Sequence, residues 1–329
     1  MGSNPTGGTQ DLGFSPPAAP PNRQPPAGLL ELSVDTTHEA VDWVCALLAP
    51  PDLAAELTVG APGRPDWELG VSAYLSATVG PAVVARLDDA LAPLRRMGLA
   101  GELRVDELAE RPPAPTPAPR RVGARFVLLS PGAEAAIGPG DLPIRVGPGP
   151  AFGSGVHPTT VCSLRLIERH ARPGAPALDL GSGSGVLSVA LARLGARVLA
   201  VDNDPVAVEA TEMAARRNGV EGAVRAALGS LGGAAMAGHW LGSAPLEPVP
   251  AIRARARFDL IAANLLARLH VGLAADYRSA LRAGGRLITA GYTRDQAADV
   301  EASLAEAGLL PVDRVEEGEY FGLVHRAAA

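Results

Sequence analysis

The sequence contains no lysine and only two cysteines, and both shortages limit what the protein can be. All 29 positively charged side chains are arginines, which we attribute, with the abundant alanine, glycine and proline, to the coding bias of a GC-rich genome. Cys45 and Cys162 cannot build a disulfide framework, and neither has a cysteine or histidine at the spacing of a metal site. We therefore expect a reducing, cytoplasmic environment and no bound metal.

Long apolar runs and excess positive charge are also missing. No apolar run reaches the roughly 18 residues that a membrane span requires. The net charge of −6 argues against nonspecific binding to nucleic acid, whereas an acidic protein can attract a basic partner over a long distance. We expect neither membrane insertion nor direct contact with nucleic acid.

Composition and hydrophobic pattern divide the chain into four parts. Residues 1–28 are rich in proline and glycine and predict a disordered leader. Residues 29–108 follow the order βαββαβ, which is typical of a small ferredoxin-like α+β domain, and residues 109–121 form a proline-rich linker. Strands and helices then alternate in residues 122–329, which predicts an α/β doubly wound sheet with a terminal hairpin. Residues 229–257 interrupt this pattern as a surface insertion.

The most informative motif is a strand, a glycine-rich turn and a helix that begins near residue 186. The glycines Gly181, Gly183 and Gly185 follow the spacing G-x-G-x-G, whereas a dinucleotide site requires a further glycine where this chain has Val186. This spacing favours S-adenosylmethionine (AdoMet) over NAD. Asp202, at the end of the next strand, can accept hydrogen bonds from both ribose hydroxyls. A tight turn without a ligand would not need three glycines.

Two more polar residues lie at or near strand ends. Asp179 precedes the glycine turn, and Asn264 follows the apolar strand 259–263. Asn264 is either the N-cap of the next helix or a ligand-facing amide, since its strand end adjoins the Gly181 turn. An amide offers a donor and an acceptor to a ligand or to an incoming amine.

A second glycine-rich stretch leads into a helix near residue 158. His157 there either makes only a local hydrogen bond or has a functional role, which would be to order the loop rather than to act as an obligatory base. Thr159 and Thr160 either cap the helix or, for Thr160, contact a ligand. The acidic run 316–319 lies in a hairpin turn, where solvated charge is the usual situation.

Several motifs together resemble the PrmA family, whose members methylate amino groups of ribosomal protein L11. They cover residues 120–326 and are FGSGVHPTT (152–160), DLGSGSG (179–185), VDNDP (201–205), ARRNGV (215–220), ANLLA (263–267) and EEGEYFGLV (316–324). The resemblance implies a seven-stranded Rossmann-like methyltransferase domain, AdoMet contacts at Thr160, Gly181, Asp202 and Asn264, and a substrate-recognition role for residues 29–108. The chain differs from the family in its proline-rich linker and in the insertion, and both differences affect substrate presentation.

We therefore interpret the chain as an AdoMet-dependent protein N-methyltransferase whose partner is a basic ribosomal protein. Asn264 is the candidate catalytic residue, and it shares the candidate cofactor site with Thr160, Asp179, Gly181, Gly183 and Asp202. No nucleophile is needed, because the task is to align a neutral amine with an activated methyl group. Two alternatives stay open: a methyltransferase for another protein or a small molecule, and a noncatalytic scaffold with an AdoMet fold.

Overall fold

The computed structural model describes residues 28–37, 40–50, 53, 55–112, 119–130, 133–147, 157–232 and 249–328. Residues 1–27 of the predicted leader, the middle of the linker, residues 152–156 of the second glycine-rich stretch and most of the insertion lie outside these ranges.

The N-terminal part forms a four-stranded antiparallel sheet in the order β2-β3-β1-β4. Alternate residues of the first strand, Leu30, Leu32 and Val34, are buried against the helices, as the period of two predicts for a sheet with one covered face. The element order agrees with the predicted βαββαβ pattern. The elements are β1 (Leu29–Thr36), α1 (Val41–Leu48), β2 (Glu56–Gly60), β3 (Leu69–Ser76), α2 (Pro81–Arg96) and β4 (Arg104–Leu108).

A small three-stranded sheet connects this part to the rest of the chain. It consists of β5 (Arg120–Val122), β6 (Phe126–Leu129) and β7 (Leu142–Arg145), followed by helix α3 (Pro158–His170). Arg120 and Arg121, which the composition places in the linker, pair with β6 instead. Asn218 holds the end of β7, because its side-chain amide bonds both the N–H and the carbonyl of Arg145.

The remaining elements build a seven-stranded sheet in the order β10-β9-β8-β13-β14-β16-β15. The last strand in the chain, β16, is antiparallel to both of its neighbours, and the other pairs in this sheet are parallel. The doubly wound sheet with a terminal hairpin is therefore confirmed. Its elements are β8 (Pro176–Leu180), α4 (Val186–Arg193), β9 (Arg197–Asp202), α5 (Pro205–Arg217), β10 (Val224–Leu228), β11 (Ser230–Leu231), β12 (Ala251–Ile252), β13 (Phe258–Asn264), α6 (Ala267–Ala280), β14 (Leu281–Thr293), α7 (Arg294–Glu306), β15 (Leu309–Glu317) and β16 (Tyr320–Ala327).

Helices cover both faces of this sheet. Alternate residues of the central strand β13 point to opposite cores: Leu260 and Ala262 pack with α3 and α4, whereas Ile261 and Ala263 pack with α6 and α7. A strand buried on both sides reads as a continuous apolar run, which is why residues 260–263 contain no polar side chain. In the described part of the chain, no helix is long and apolar enough to cross a membrane.

The strand order reverses between β8 and β13, and this reversal positions the site. Open α/β sheets bind ligands in the crevice at the carboxyl ends of their strands, where the order switches. The carboxyl ends of β8, β9 and β13 lie side by side there.

Candidate active site

The turn after β8 is shaped by three glycines in the left-handed region. Gly181, Gly183 and Gly185 have φ values of +74°, +50° and +79°, which residues with a Cβ rarely adopt. A Cβ at Gly181 would overlap the side chain of Leu265, and one at Gly185 would lie 2.8 Å from the Cα of Thr211. The turn therefore packs directly against the end of β13 and against α5, and it leaves no side chain over the crevice at these positions.

Asp202 ends β9 and is oriented by two backbone donors. The N–H of Gly183 donates to Oδ2 at 2.9 Å, and the N–H of Asp204 donates to Oδ1 at 3.0 Å. Burial raises the pKa of the carboxyl group, while these two hydrogen bonds act in the opposite direction. Each carboxylate oxygen has more than one lone pair, and Asp202 is only half-buried. It can therefore still accept hydrogen bonds from the hydroxyl groups of a ligand.

Asp179 lies one layer deeper, inside β8. Its Oδ2 accepts a hydrogen bond from the hydroxyl of Ser188 at 2.6 Å, whereas its Oδ1 is buried without a partner among the residues that the structure describes. Burial raises the pKa of Asp179 to about 7, and the neighbouring charge of Asp202 acts in the same direction. A buried carboxyl group that is only half satisfied is costly for the protein alone.

Asn264 does not cap a helix. Helix α6 begins at Ala267 with Leu266 as its N-cap, so the N-cap interpretation of Asn264 is wrong. The Oδ1 of Asn264 is buried and has no partner in the described part of the chain. The register places Ala263 beside Leu180, so Asn264 lies next to the glycine turn as expected.

His157 and Thr160 have different roles at the start of α3. The Nδ1 of His157 accepts the backbone N–H of Thr159 at 3.2 Å, and its ring meets the edge of Tyr320 with centroids 5.1 Å apart. The imidazole thus caps the helix and orders the chain locally. Thr160 is fully buried, and its hydroxyl has no partner among the described residues, so the capping interpretation fails for this residue.

The acidic run at the hairpin turn is largely paired. Glu317 lies 2.6 Å from a guanidinium nitrogen of Arg165, and Glu316 lies 2.9 Å from one of Arg294. These groups are partly exposed, so the run has the solvated character that its position in a hairpin turn predicts.

Sequence analysis did not identify two residues that support the glycine turn and Asp179. Thr211 of α5 donates its hydroxyl to the Gly183 carbonyl at 3.1 Å and to Ser182 Oγ at 2.9 Å, and Ser188 of α4 satisfies one oxygen of Asp179. Both are polar residues on helix faces that are otherwise apolar, which is the signal that could have identified them.

The site thus combines a bare glycine turn, an oriented carboxylate and three buried polar atoms without partners in the described residues. These atoms are the Thr160 Oγ1, the Asp179 Oδ1 and the Asn264 Oδ1. AdoMet carries a ribose with two hydroxyls, an α-ammonium group and a sulfonium, so its donors and its positive charge match the acceptors present. We conclude that the residues fit this ligand.

Comparison with known proteins agrees with this arrangement. The family model described as "Ribosomal protein L11 methyltransferase (PrmA)" matches residues 71–327. A ribosomal protein L11 methyltransferase of Herpetosiphon aurantiacus is 38% identical over 316 residues, which cover 90% of this chain and 98% of that protein. The corresponding protein of Chloroflexus aurantiacus is 46% identical over 212 residues, which cover 63% of this chain and 65% of that protein, less than two thirds of its length. The crystal structure of the ribosomal protein L11 methylase from Lactobacillus delbrueckii subsp. bulgaricus is 27% identical with a TM-score of 0.54, and the match covers 64% of this chain and 100% of that one.

Proposed function

Because the chain belongs to the ribosomal protein L11 methyltransferase (PrmA) family, we propose that it transfers methyl groups from AdoMet to amino groups of ribosomal protein L11. The observation that carries this proposal is the set of acceptors left open at the carboxyl ends of β8, β9 and β13. A protein that binds no ligand would leave these buried polar atoms unsatisfied, at a cost in stability. We place the reaction in the cytoplasm, where ribosomal proteins are assembled.

In this proposal each residue of the candidate site has a specific role in holding AdoMet. Asp202 accepts the ribose hydroxyls, and the Gly181 and Gly183 backbone allows the ligand to approach the turn closely. Asp179 provides a buried negative charge that a cationic ligand would neutralise. Thr160 and Asn264 would each offer an oxygen without a partner in the described residues to a hydrogen-bond donor of the bound ligand.

When bound, AdoMet supplies a methyl group that its sulfonium has already activated. The protein has to align a neutral amine with that methyl group and exclude water, and such alignment can contribute roughly 7–11 kcal/mol of the barrier. A lysine ammonium must first lose its proton to solvent, which desolvation and the positive charge of the bound cofactor would favour, because both disfavour the charged ammonium. In this proposal the Oδ1 of Asn264, which has no partner among the described residues, accepts an N–H of the incoming amine.

No side chain is required as a nucleophile. Burial raises the pKa of Cys162 to about 12, so this thiol stays protonated at neutral pH. The Nδ1 of His157 already accepts the backbone N–H of Thr159 at the start of α3, and this proposal does not need the imidazole as a base.

We assign substrate recognition to residues 29–108. This part has a hydrophobic core of its own, formed by residues such as Leu32, Val44 and Leu91. None of the candidate site residues lies within it. The proline-rich linker would set how the acceptor is presented, and the alternative function is methylation of a different protein or a small molecule.

The test is transfer of a labelled methyl group. Purified L11 and a whole-cell lysate are incubated with labelled AdoMet and the enzyme, with Asn264→Ala as the impaired control. We expect label in L11 amino groups. Label in another acceptor alone would favour the alternative substrate, and AdoMet binding without any transfer would favour a scaffold.

A further inference from the structure

A buried histidine lies directly behind the turn that carries Asn264. His270 is in the first part of α6 and is completely buried. Its Nε2 lies 2.9 Å from the carbonyl oxygen of Ala290. The backbone N–H of Leu265 donates to the same oxygen, also at 2.9 Å. One carbonyl of β14, three residues before the end of the strand, therefore holds both the turn after Asn264 and the imidazole.

The position of Asn264 depends on this backbone contact. Its side-chain Oδ1 has no partner in the part of the chain that the structure describes, so the surrounding protein does not hold that oxygen directly. The next peptide is held on both sides: Leu265 bonds Ala290, and Gly291 lies so close that a Cβ there would overlap the Leu265 backbone. Gly291 has a φ of +101°, which permits this approach. A shift of Ala290 would thus move Asn264.

The hydrogen bonds of His270 define its tautomer. A carbonyl oxygen can only accept, so Nε2 carries the proton, and Nδ1 is left to accept the hydroxyl of Tyr277 at 3.2 Å. Burial lowers the pKa of His270 to about 4, so the ring is neutral at physiological pH. The ring also meets Tyr292 edge-on, with centroids 5.4 Å apart. The imidazole is therefore fixed in orientation as well as in protonation.

We propose that His270 is a positioning residue, whose Nε2–H fixes the Ala290 carbonyl and, through it, the Leu265 peptide and the amide of Asn264. The inference rests on the proposed function only where kcat with L11 is measured. The Kd of AdoMet depends on the same position of Asn264 and can be measured without any acceptor. His270 itself is completely buried and acts through the backbone, so it is not a catalytic residue.

The experiment is a double-mutant cycle between His270 and Asn264. His270→Leu removes the donor, whereas His270→Gln keeps an N–H on a side chain of similar reach. For each single and double variant we would measure the Kd of AdoMet by calorimetry, kcat with L11, and Tm. His325→Leu is the matched control, since His325 is equally buried but its ring nitrogens have no partner among the described residues.

We expect His270→Leu to lose about tenfold to a hundredfold in kcat or AdoMet affinity, the range that follows from a displaced reacting group, and His270→Gln to recover most of it. In the Asn264→Ala background, the same His270→Leu change should have little further effect. His325→Leu should stay within about twofold of wild type, because no hydrogen bond to a site residue is lost. If His270→Leu does not fold, His270→Asn replaces it in the cycle, because the shorter side chain cannot bring its N–H to the Ala290 carbonyl.

Two results would overturn the proposal. Equal losses in both backgrounds would show that His270 acts independently of Asn264. A lower Tm with unchanged Kd and kcat would reduce His270 to a structural residue. If the wild type binds AdoMet but does not methylate L11, the proposed function fails, whereas the cycle in AdoMet affinity still decides the role of His270.

Discussion

The buried carboxyl group of Asp179 makes the free protein sensitive to pH. Asp179→Asn keeps the shape of the side chain and an oxygen that can accept the Ser188 hydroxyl, which lies 2.6 Å from Oδ2 in the wild type. It removes the ability to carry a negative charge. We expect the variant to lose one specific part of the pH dependence of the wild-type unfolding free energy.

The direction and size follow from the two pKa values. Burial raises the folded-state pKa from the usual value of 3.8 to about 7, so the folded protein binds more protons than the unfolded chain between these values. The contribution of Asp179 to stability is therefore greatest in acid, and it falls as the pH rises toward and through 7. The difference corresponds to up to about 4 kcal/mol, of which about 2 kcal/mol is lost between pH 5 and 7.

The same charge should serve ligand binding. A cationic ligand offsets the buried carboxylate, so Asp179→Asn should weaken AdoMet binding by about 1.5–3 kcal/mol, the size of a hydrogen bond to a charged group. AdoMet should also bind more tightly to the wild type as pH rises through 7. Urea unfolding of the free protein from pH 5 to 8 and calorimetry with AdoMet measure the two effects separately.

The decisive quantity is the slope of the unfolding free energy with pH. The absolute free energies are less informative, because the buried amide N–H of the new asparagine changes stability by an amount that does not depend on pH. Asp299→Asn, on an exposed position of α7, is the control for the loss of one carboxylate. If wild type and Asp179→Asn lose stability in parallel from pH 5 to 8, the reasoning about the buried charge is refuted.

Three further changes test the rest of the site and the division of the chain. Asp202→Ala should weaken AdoMet binding by about 1.5–3 kcal/mol with the fold intact, measured by calorimetry, and NAD should give no heat with either protein; an unchanged Kd would place the ribose elsewhere. Gly181→Ala should cost about 1–3 kcal/mol in unfolding free energy, because its φ is +74°, and should weaken AdoMet binding. Gly272→Ala, with nothing within 4 Å of the added Cβ, is the control, and equal behaviour of the two variants would contradict the packing argument. A protein that starts at Arg120 should keep the AdoMet affinity but lose methylation of L11, and an undiminished kcat/KM would reject the recognition role of residues 29–108.

The strand ends of the catalytic part could be predicted because their signals are local and periodic. The apolar run 259–263, the acid at the end of residues 197–202 and the glycine spacing each identify a strand end by sequence alone. Since parallel strands present their carboxyl ends at one edge, the sequence already places Asp202 and Asn264 near the glycine turn. The observed register agrees with that placement.

The local roles at helix starts could not be settled in this way. Asn264 has the residue type and the position of an N-cap, but the chain continues for two more residues before α6 begins at Ala267. Thr159 and Thr160 are adjacent and chemically identical, yet the hydrogen bonds to the His157 ring come from Thr159. Capping depends on backbone angles over one or two residues, and composition does not determine these.

The supporting contacts were beyond the sequence for a different reason. Asp179 meets Ser188 nine residues away, Thr211 meets Gly183, and His270 meets Ala290, in each case across a boundary between two elements. Such pairs depend on the exact rotation of a helix about its axis against the strand. Apolar periodicity shows which face of the helix is turned to the core, but it does not determine that rotation closely enough to pair individual side chains.

Three of the residues that sequence analysis identified differ in one physical property from the supporting residues that it missed. Thr160, Asp179 and Asn264 each keep a buried oxygen without a partner in the described residues, whereas Ser188, Thr211 and His270 use their polar atoms on neighbouring protein groups. The first set carries a cost that folding alone does not recover, and a ligand that completes those hydrogen bonds would recover it. The second set holds the first in place, because each of its members bonds to a site residue or to the backbone that carries one. A buried polar atom in the crevice that no described protein group satisfies therefore indicates ligand binding, whereas hydrogen bonds within the protein do not exclude it, since both oxygens of Asp202 already accept backbone N–H groups.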